Sequence, residues 1–208
     1  MRKSETFILS FILLLALAGL AFSFFKPVLK ATPIHLEPAL AIPASVLLAN
    51  RRDFLGGETA PYALIEFGDY ECPPCRGSRP RVKELLAEFK DLLKLDFRNL
   101  PLPQIHSSAM FSALVAEAAR EKGRFWNVHN SLYETALNDQ SIEKILKDNL
   151  HVRSLSNSQM QSARQAVKAD MAMSERLKLE ATPSFVLATP DGKLFSLNSL
   201  ESIPLFIK

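Results

Sequence analysis

The spacing of apolar residues predicts a strand, a helix and a second strand in the middle of the chain. Residues 62–68 (YALIEFG) are a short apolar run bounded by Pro61 and Gly68, which is typical of a buried strand. Apolar residues then recur at helical spacing across residues 79–93, and residues 93–99 (LKLDFRN) predict the next strand. This order favours a parallel βαβ unit.

The second half of the chain predicts a group of helices followed by a hairpin. Four apolar stripes at helical spacing lie between about residues 104 and 178, and Gly123 is a natural end for the first of them. Residues 181–197 (ATPSFVLATPDGKLFSL) predict a strand, an Asp-Gly turn and a strand, and residues 198–208 hold at most a short helix. The pattern therefore predicts an α/β domain over residues 52–208 with a helical insert.

The N-terminal segment differs from the rest of the chain. Arg2 and Lys3 precede an uncharged apolar run from Phe7 to Phe25, which as a helix would span roughly 28 Å, close to the hydrocarbon thickness of a bilayer. We expect residues 1–25 to be an uncleaved signal anchor, and a cleaved signal peptide is the alternative. Because positive charge before the run favours a cytoplasmic N-terminus, both interpretations export the rest of the chain. The domain would then be membrane-anchored and face the periplasm, or be periplasmic or secreted after cleavage.

Residues 26–51 are predicted to form a linker or arm. Four prolines in this stretch are expected to break any helix: Pro27, Pro33, Pro38 and Pro43. The roughly 150 residues that follow are enough for one domain that buries about two-thirds of its surface.

Beyond the uncharged N-terminal run, charge is spread along the chain. The 25 lysines and arginines and the 22 aspartates and glutamates give a net charge of +3, and the basic residues are scattered among the acidic ones. A nucleic-acid-binding protein concentrates basic residues on one face or stripe. We therefore expect no nucleic-acid partner.

The only two cysteines, Cys72 and Cys75, lie in the short sequence ECPPCR. A disulfide across so small a loop would stabilise the fold by roughly 2 kcal/mol at best, which disfavours a structural staple. A tetrahedral metal site would need two further ligands, and the four histidines show no paired spacing, so we expect no metal. One of them, His129, falls in an apolar stripe, where a buried core histidine is the commoner case.

A redox couple explains the position of the cysteines. Cys72 is expected at the N-terminus of a helix, where unpaired backbone N–H groups and the helix dipole stabilise a thiolate. Cys75 lies one turn later, within reach for a disulfide, and is expected to be the more buried partner. Pro73 and Pro74 cost little in a first helical turn, because its N–H groups have no intrahelical partners. They supply no side-chain donor, so we expect a less stabilised thiolate than a histidine in the loop would give.

The segment LIEFGDYECPPC resembles the active-site segment of DsbA-like proteins of the thioredoxin superfamily. Pro80 stands where thioredoxin-like helices carry a kinking proline. The segments FRNLPLPQIHSSAM and FWNVHNSLYE resemble parts of the family's helical insert, and ATPSFVL resembles its cis-proline segment, so the Thr182–Pro183 bond is the expected cis bond. The resemblance covers about residues 52–197 and implies a thioredoxin fold with a helical insert.

This resemblance implies an exported thiol-disulfide oxidoreductase that oxidises, reduces or isomerises disulfides in extracytoplasmic proteins. The Cys72–Cys75 disulfide would be its only cofactor, and a membrane redox protein would recycle it. Thr182 and Pro183 would hold an extended substrate segment beside Cys72. Glu66 matches the family's buried acid, which would have a raised pKa and move protons at Cys75. The alternative is that strand twist or an edge position exposes Glu66.

Two features depart from the family pattern. The centre of the cysteine motif is Pro-Pro, where the best-known oxidase of the family has Pro-His, and the C-terminal helix is short. The alternative function is a peptide-binding, chaperone-like module without turnover, in which the cysteines would be vestigial or regulatory.

Overall fold

A five-stranded mixed sheet forms the centre of the domain. Its strands are β1 (Leu55–Gly56), β2 (Tyr62–Gly68), β3 (Leu93–Asn99), β4 (Ser184–Ala188) and β5 (Leu194–Leu197). They are arranged in the order β1-β3-β2-β4-β5; β2 and β3 are parallel and the other neighbouring pairs antiparallel. The predicted bounds of β2 and β3 are confirmed, and the predicted hairpin of β4 and β5 turns at Gly192, whose φ is 81°.

This computed structural model describes residues 40–49 and 53–207. The predicted signal anchor or signal peptide at residues 1–25 lies outside the described residues, as does most of the predicted arm. Within the two described ranges, no helix is long and apolar enough to cross a membrane.

The helices follow the predicted order along the chain. They are α1 (Ala44–Leu48), α2 (Pro73–Glu88), α3 (Ala109–Arg120), α4 (Phe125–Glu134), α5 (Asp139–Leu150), α6 (Asn157–Arg176) and α7 (Ile203–Phe206), with a 3-10 turn at Leu200–Ser202. The link between β2 and β3 is α2, and α3 to α6 form the helical insert between β3 and β4. Capping boxes begin α5 and α6, where Asn138 pairs with Ser141 and Ser156 with Gln159.

The two faces of the sheet carry different layers, because alternate residues of a strand point to opposite faces. On one face, Leu64 packs in a core with Val82 and Leu85 of α2. On the other face, Ile65 and Phe67 pack with α1 and with the chain beyond α6. Since residues 64 and 66 share a face, Glu66 points toward α2.

A short helix within the arm was not predicted. Pro43 is the N-cap of α1 and leaves the helix intact, because the N–H that proline lacks is not used there. Leu47 of α1 is 1% exposed, and its carbonyl oxygen accepts a hydrogen bond from Arg98 at 3.0 Å. The prediction that the prolines exclude a helix from residues 26–51 is therefore wrong at α1, where burial of apolar side chains stabilises a helix too short to show a periodic pattern.

Candidate active site

The two cysteines lie at the start of α2, just beyond the carboxyl end of β2. Cys72 is the N-cap residue, and Pro73 and Pro74 are the first two residues of the helix, as predicted. Both cysteines are free thiols; Cys72 is 5% exposed and Cys75 fully buried. A sulfur atom of another molecule can therefore contact Cys72 but not the fully buried Cys75.

Cys75 is held in its protonated form by its surroundings. Burial raises the pKa of the Cys75 thiol well above its ordinary value, and negative charge on Glu66 and Cys72 raises it further. A hydrogen bond with the backbone of Asp69 acts in the opposite direction but is the smaller effect. Cys75 is thus a thiol at neutral pH and needs a base before it can act as a nucleophile.

Glu66 occupies the middle of β2 and is 2% exposed, so the alternative that strand twist exposes it is wrong. Its neighbours across the sheet are Phe97 of β3 and Phe185 of β4. Burial raises the pKa of the Glu66 carboxyl to about 8, although the positive charge of Arg79 lowers it. Its Oε1 atom has no hydrogen-bond partner within the described part of the chain. The carboxyl therefore exchanges its proton near neutral pH.

A small cavity borders the Glu66 side chain between the sheet, α2 and α4. It has a volume of about 20 Å³, and Arg79, His129 and Asn130 are among its lining residues. This is room for about one water molecule. Arg79 is fixed at the cavity by a 2.8 Å hydrogen bond from its Nη2 to Asn130.

The segment before β4 lies against Cys72. The Thr182–Pro183 peptide bond is cis, as predicted, and both residues are partly exposed. The Cys72 thiol donates a hydrogen bond to the Thr182 carbonyl oxygen at 3.2 Å. Because β4 pairs antiparallel with β2, it brings this segment to the end of the sheet where α2 begins. The structure thus brings together the predicted site residues from both halves of the domain.

Asp69 organises the turn before the cysteines. Its carboxylate accepts hydrogen bonds from the backbone N–H groups of Glu71 and Leu102 at 2.8 and 2.9 Å. It also pairs with Nδ1 of His106 at 2.9 Å, and Glu71 in turn accepts a hydrogen bond from the N–H of Ser108. The loop between β3 and α3 is therefore fastened to the active-site turn, a connection that the sequence pattern did not predict.

An aromatic cluster from the turn, β3 and α4 packs behind Cys75. Its members are Tyr70, Phe97, Phe125, His129 and Tyr133. His129 is buried as predicted and pairs with the Tyr70 hydroxyl at 3.2 Å, and burial lowers its pKa well below the ordinary value. Within residues 40–49 and 53–207, no three His, Cys, Asp or Glu side chains form a group that could hold a metal ion.

Arg79 and Tyr133 are site residues that sequence reasoning missed. Arg79 follows Cys75 by four positions on α2 and so shares its helix face, a signal that spacing could have supplied. Tyr133 lies on α4 in the helical insert, and its position near the cysteines depends on how α4 packs against α2, which the sequence pattern does not show.

Comparison with known proteins agrees with this geometry. The Thioredoxin family model matches residues 50–208. Similar solved structures include DsbA2 of Pseudomonas aeruginosa, at a TM-score of 0.58 and 20% identity, covering 82% of this chain and 95% of that one. The catalytic domain of Proteus mirabilis ScsC has a TM-score of 0.61 and 19% identity, and the match covers 79% of this chain and 94% of that one. A periplasmic thioredoxin-like protein of Salmonella enterica has a TM-score of 0.62 and 17% identity, and the match covers 81% of this chain and 97% of that one. At these identities the similarity concerns the fold.

Curated relatives match only in part. The Na⁺/H⁺ antiporter NhaA 1 of Salinispora arenicola is 42% identical over 83 residues, which are 40% of this chain. The chain spans about 13% of the length of that antiporter, so the match carries no conclusion about transport. The match of the family model extends over the described sheet, helical insert and cysteine motif, and the chain belongs to the thioredoxin family with a DsbA-like fold, as the segment around Cys72 predicted.

Proposed function

We propose that the protein is an exported thiol-disulfide oxidoreductase that uses Cys72 and Cys75 as its redox couple. One observation carries the proposal: Cys72 is the N-cap residue of α2 and its sulfur lies 3.2 Å from the carbonyl oxygen of Thr182, with the buried Cys75 one turn behind it. Membership of the thioredoxin family and the DsbA-like fold support the same activity.

The exchange begins at Cys72. In the reducing direction, its thiolate attacks one sulfur of a substrate disulfide, and the other substrate sulfur leaves as a thiolate that takes up a proton. Cys75 loses its proton and attacks the Cys72 sulfur, so the bond to the substrate breaks and the second substrate sulfur leaves. Two electrons have then passed from the dithiol to the substrate, and the couple is a disulfide. The oxidising direction is the reverse of these steps.

Glu66 is the group proposed to exchange the Cys75 proton. Its pKa of about 8 lies near neutral pH, so its carboxylate form accepts a proton and its neutral form returns one. The water-sized cavity beside it would connect this proton with solvent.

Thr182 and Pro183 are proposed to hold the substrate. Their partly exposed backbone borders Cys72, where an extended substrate segment would pair with it as a short strand. The proposed substrates are extracytoplasmic proteins, and a membrane redox protein would recycle the couple. The similar fold of a periplasmic protein supports the extracytoplasmic location.

Two serine variants test this proposal on a peptide that contains one disulfide. Cys72→Ser is expected to abolish turnover, because it removes the sulfur that the substrate meets first. Cys75→Ser is expected to accumulate a covalent adduct at Cys72, which mass spectrometry detects, because nothing resolves it. Turnover that persists in Cys72→Ser would contradict the proposal. Peptide binding by the wild-type chain with no adduct in Cys75→Ser would favour the peptide-binding module.

A further inference from the structure

Tyr133 carries a buried hydroxyl group that the exchange described above does not use. The residue is 2% exposed, and no partner for its hydroxyl exists in the part of the chain that the structure describes. Its ring is fixed: the Tyr70 ring lies 4.8 Å away between centroids, and the Arg79 guanidinium lies 4.6 Å from the ring centroid. A fixed, buried donor without an acceptor is unusual in a native protein and calls for a role.

The Tyr133 hydroxyl lies at the carboxyl end of β2, and Tyr133 and Cys75 belong to the same buried cluster. A Cβ atom at Gly68 would come within 3.0 Å of the hydroxyl oxygen, so the absence of a side chain at Gly68 makes room for it. The backbone of the next residue, Asp69, acts on the Cys75 thiol and lowers its pKa. The hydroxyl from α4 and the thiol from α2 thus lie in one buried cluster, beside the turn that follows β2.

Electrostatics agrees with this proximity. Burial raises the pKa of Tyr133 well above its ordinary value, and negative charge on Glu66 and on Cys75 raises it further. The hydroxyl therefore keeps its proton and is available as a hydrogen-bond donor. Glu66 and Cys75, whose negative charge acts on it, are the two groups proposed to exchange a proton during the reaction.

We propose that Tyr133 is the hydrogen-bond donor that stabilises negative charge on the Cys75 sulfur during exchange. This inference rests on the proposed function. In the dithiol form the hydroxyl makes no hydrogen bond to any described residue. It would turn to the Cys75 sulfur when that sulfur becomes a thiolate, since bonds to charged acceptors are shorter and stronger than those to a thiol. Both directions of the exchange pass through charge on Cys75, so Tyr133 acts in both.

The test compares Tyr133→Phe with the wild-type full chain, using glutathione disulfide as the probe. Acid quenching and mass spectrometry follow the Cys72–glutathione adduct through its formation and its resolution by Cys75. Formation is expected to keep its wild-type rate, and resolution to slow about tenfold, the effect of one lost hydrogen bond to a charged acceptor. The dithiol form of Tyr133→Phe is expected to be at least as stable as the wild type in urea, because the deleted hydroxyl has no partner there.

Tyr62→Phe is the matched control. The Tyr62 hydroxyl donates a 2.9 Å hydrogen bond to the Phe206 carbonyl at the other end of β2, so its loss is expected to lower stability and leave resolution unchanged. Wild-type resolution in Tyr133→Phe would overturn the inference and leave the proposed function intact. Equal slowing of both steps with lost stability would also overturn it, because that pattern indicates a packing role. A wild-type chain that forms no glutathione adduct would overturn both.

Discussion

The Glu66 side chain links folding stability to pH. Its pKa is about 8 in the folded chain, where burial disfavours the charged form, against an ordinary value of 4.5 that the unfolded chain keeps. Between these pH values the folded chain holds a proton that the unfolded chain has released. Stability therefore falls as pH rises from 4.5 toward about 8, by up to roughly 1.4 kcal/mol per pH unit, and levels off above that.

Glu66→Gln is expected to remove this dependence, because the amide keeps the shape of the neutral carboxyl and has no proton to lose. Urea unfolding at about pH 5, 7 and 9 measures the effect. Relative to the wild type, the free energy of unfolding of the variant is expected to rise with pH, by several kcal/mol at the highest pH. Glu84→Gln is the control, since Glu84 lies on the exposed face of α2 and pairs only at the surface with Arg81. An unchanged pH slope in Glu66→Gln would show that Glu66 is ionised throughout.

At the scale of elements, α1 joins the arm to the thioredoxin domain. Leu40 donates a backbone hydrogen bond to Leu194 of β5 at 2.7 Å, and Ala44 donates one to Gly192 at 2.9 Å. On the other side, Arg98 of β3 bonds the carbonyl of Leu47 and pairs with Asp96 at 2.6 Å. The described part of the arm is therefore held by the sheet through both backbone and side-chain contacts.

Leu47→Ala tests whether α1 is part of the folded unit. Because Leu47 is 1% exposed, its truncation is expected to cost about 2–5 kcal/mol of unfolding free energy in urea. Val46→Ala is the control in the same helix, since Val46 is 37% exposed and should change stability little. If Leu47→Ala lowers the unfolding free energy as little as Val46→Ala does, α1 does not contribute to the stability of the domain.

Sequence patterns predicted those elements whose signal is local. Tyr62–Gly68 is a largely apolar run with clear ends, and apolar residues alternate with charged ones in Leu93–Asn99, so both strands were predicted with their bounds. By contrast β1, at Leu55–Gly56, and α1 are too short to show a period, and their formation depends on the sheet that they join. The same contrast holds at the candidate site. The prolines after Cys72 are a local signal that predicts the position of the cysteines at the start of α2. The contact of Tyr133 with the site depends on how the insert packs, which no local signal shows.

At the scale of the whole molecule, the fold separates two sides of the proposed chemistry. Cys72 and the Thr182–Pro183 segment form the side that a substrate meets. Cys75 and Glu66 lie beneath it, where burial raises the pKa of each. The domain would thus keep the proposed proton exchange away from the surface on which sulfur exchange would occur.

The most direct test of the redox couple is its equilibrium with glutathione. The full chain is equilibrated over a range of ratios of reduced to oxidised glutathione. Its free thiols are then alkylated, and the mass of the product is measured. We predict one reversible two-electron transition between dithiol and disulfide that is lost in Cys75→Ser. A midpoint near about −120 mV would indicate a donor of disulfides, and one near about −270 mV a reductant. A Cys72–Cys75 pair with no reversible equilibrium would contradict the account.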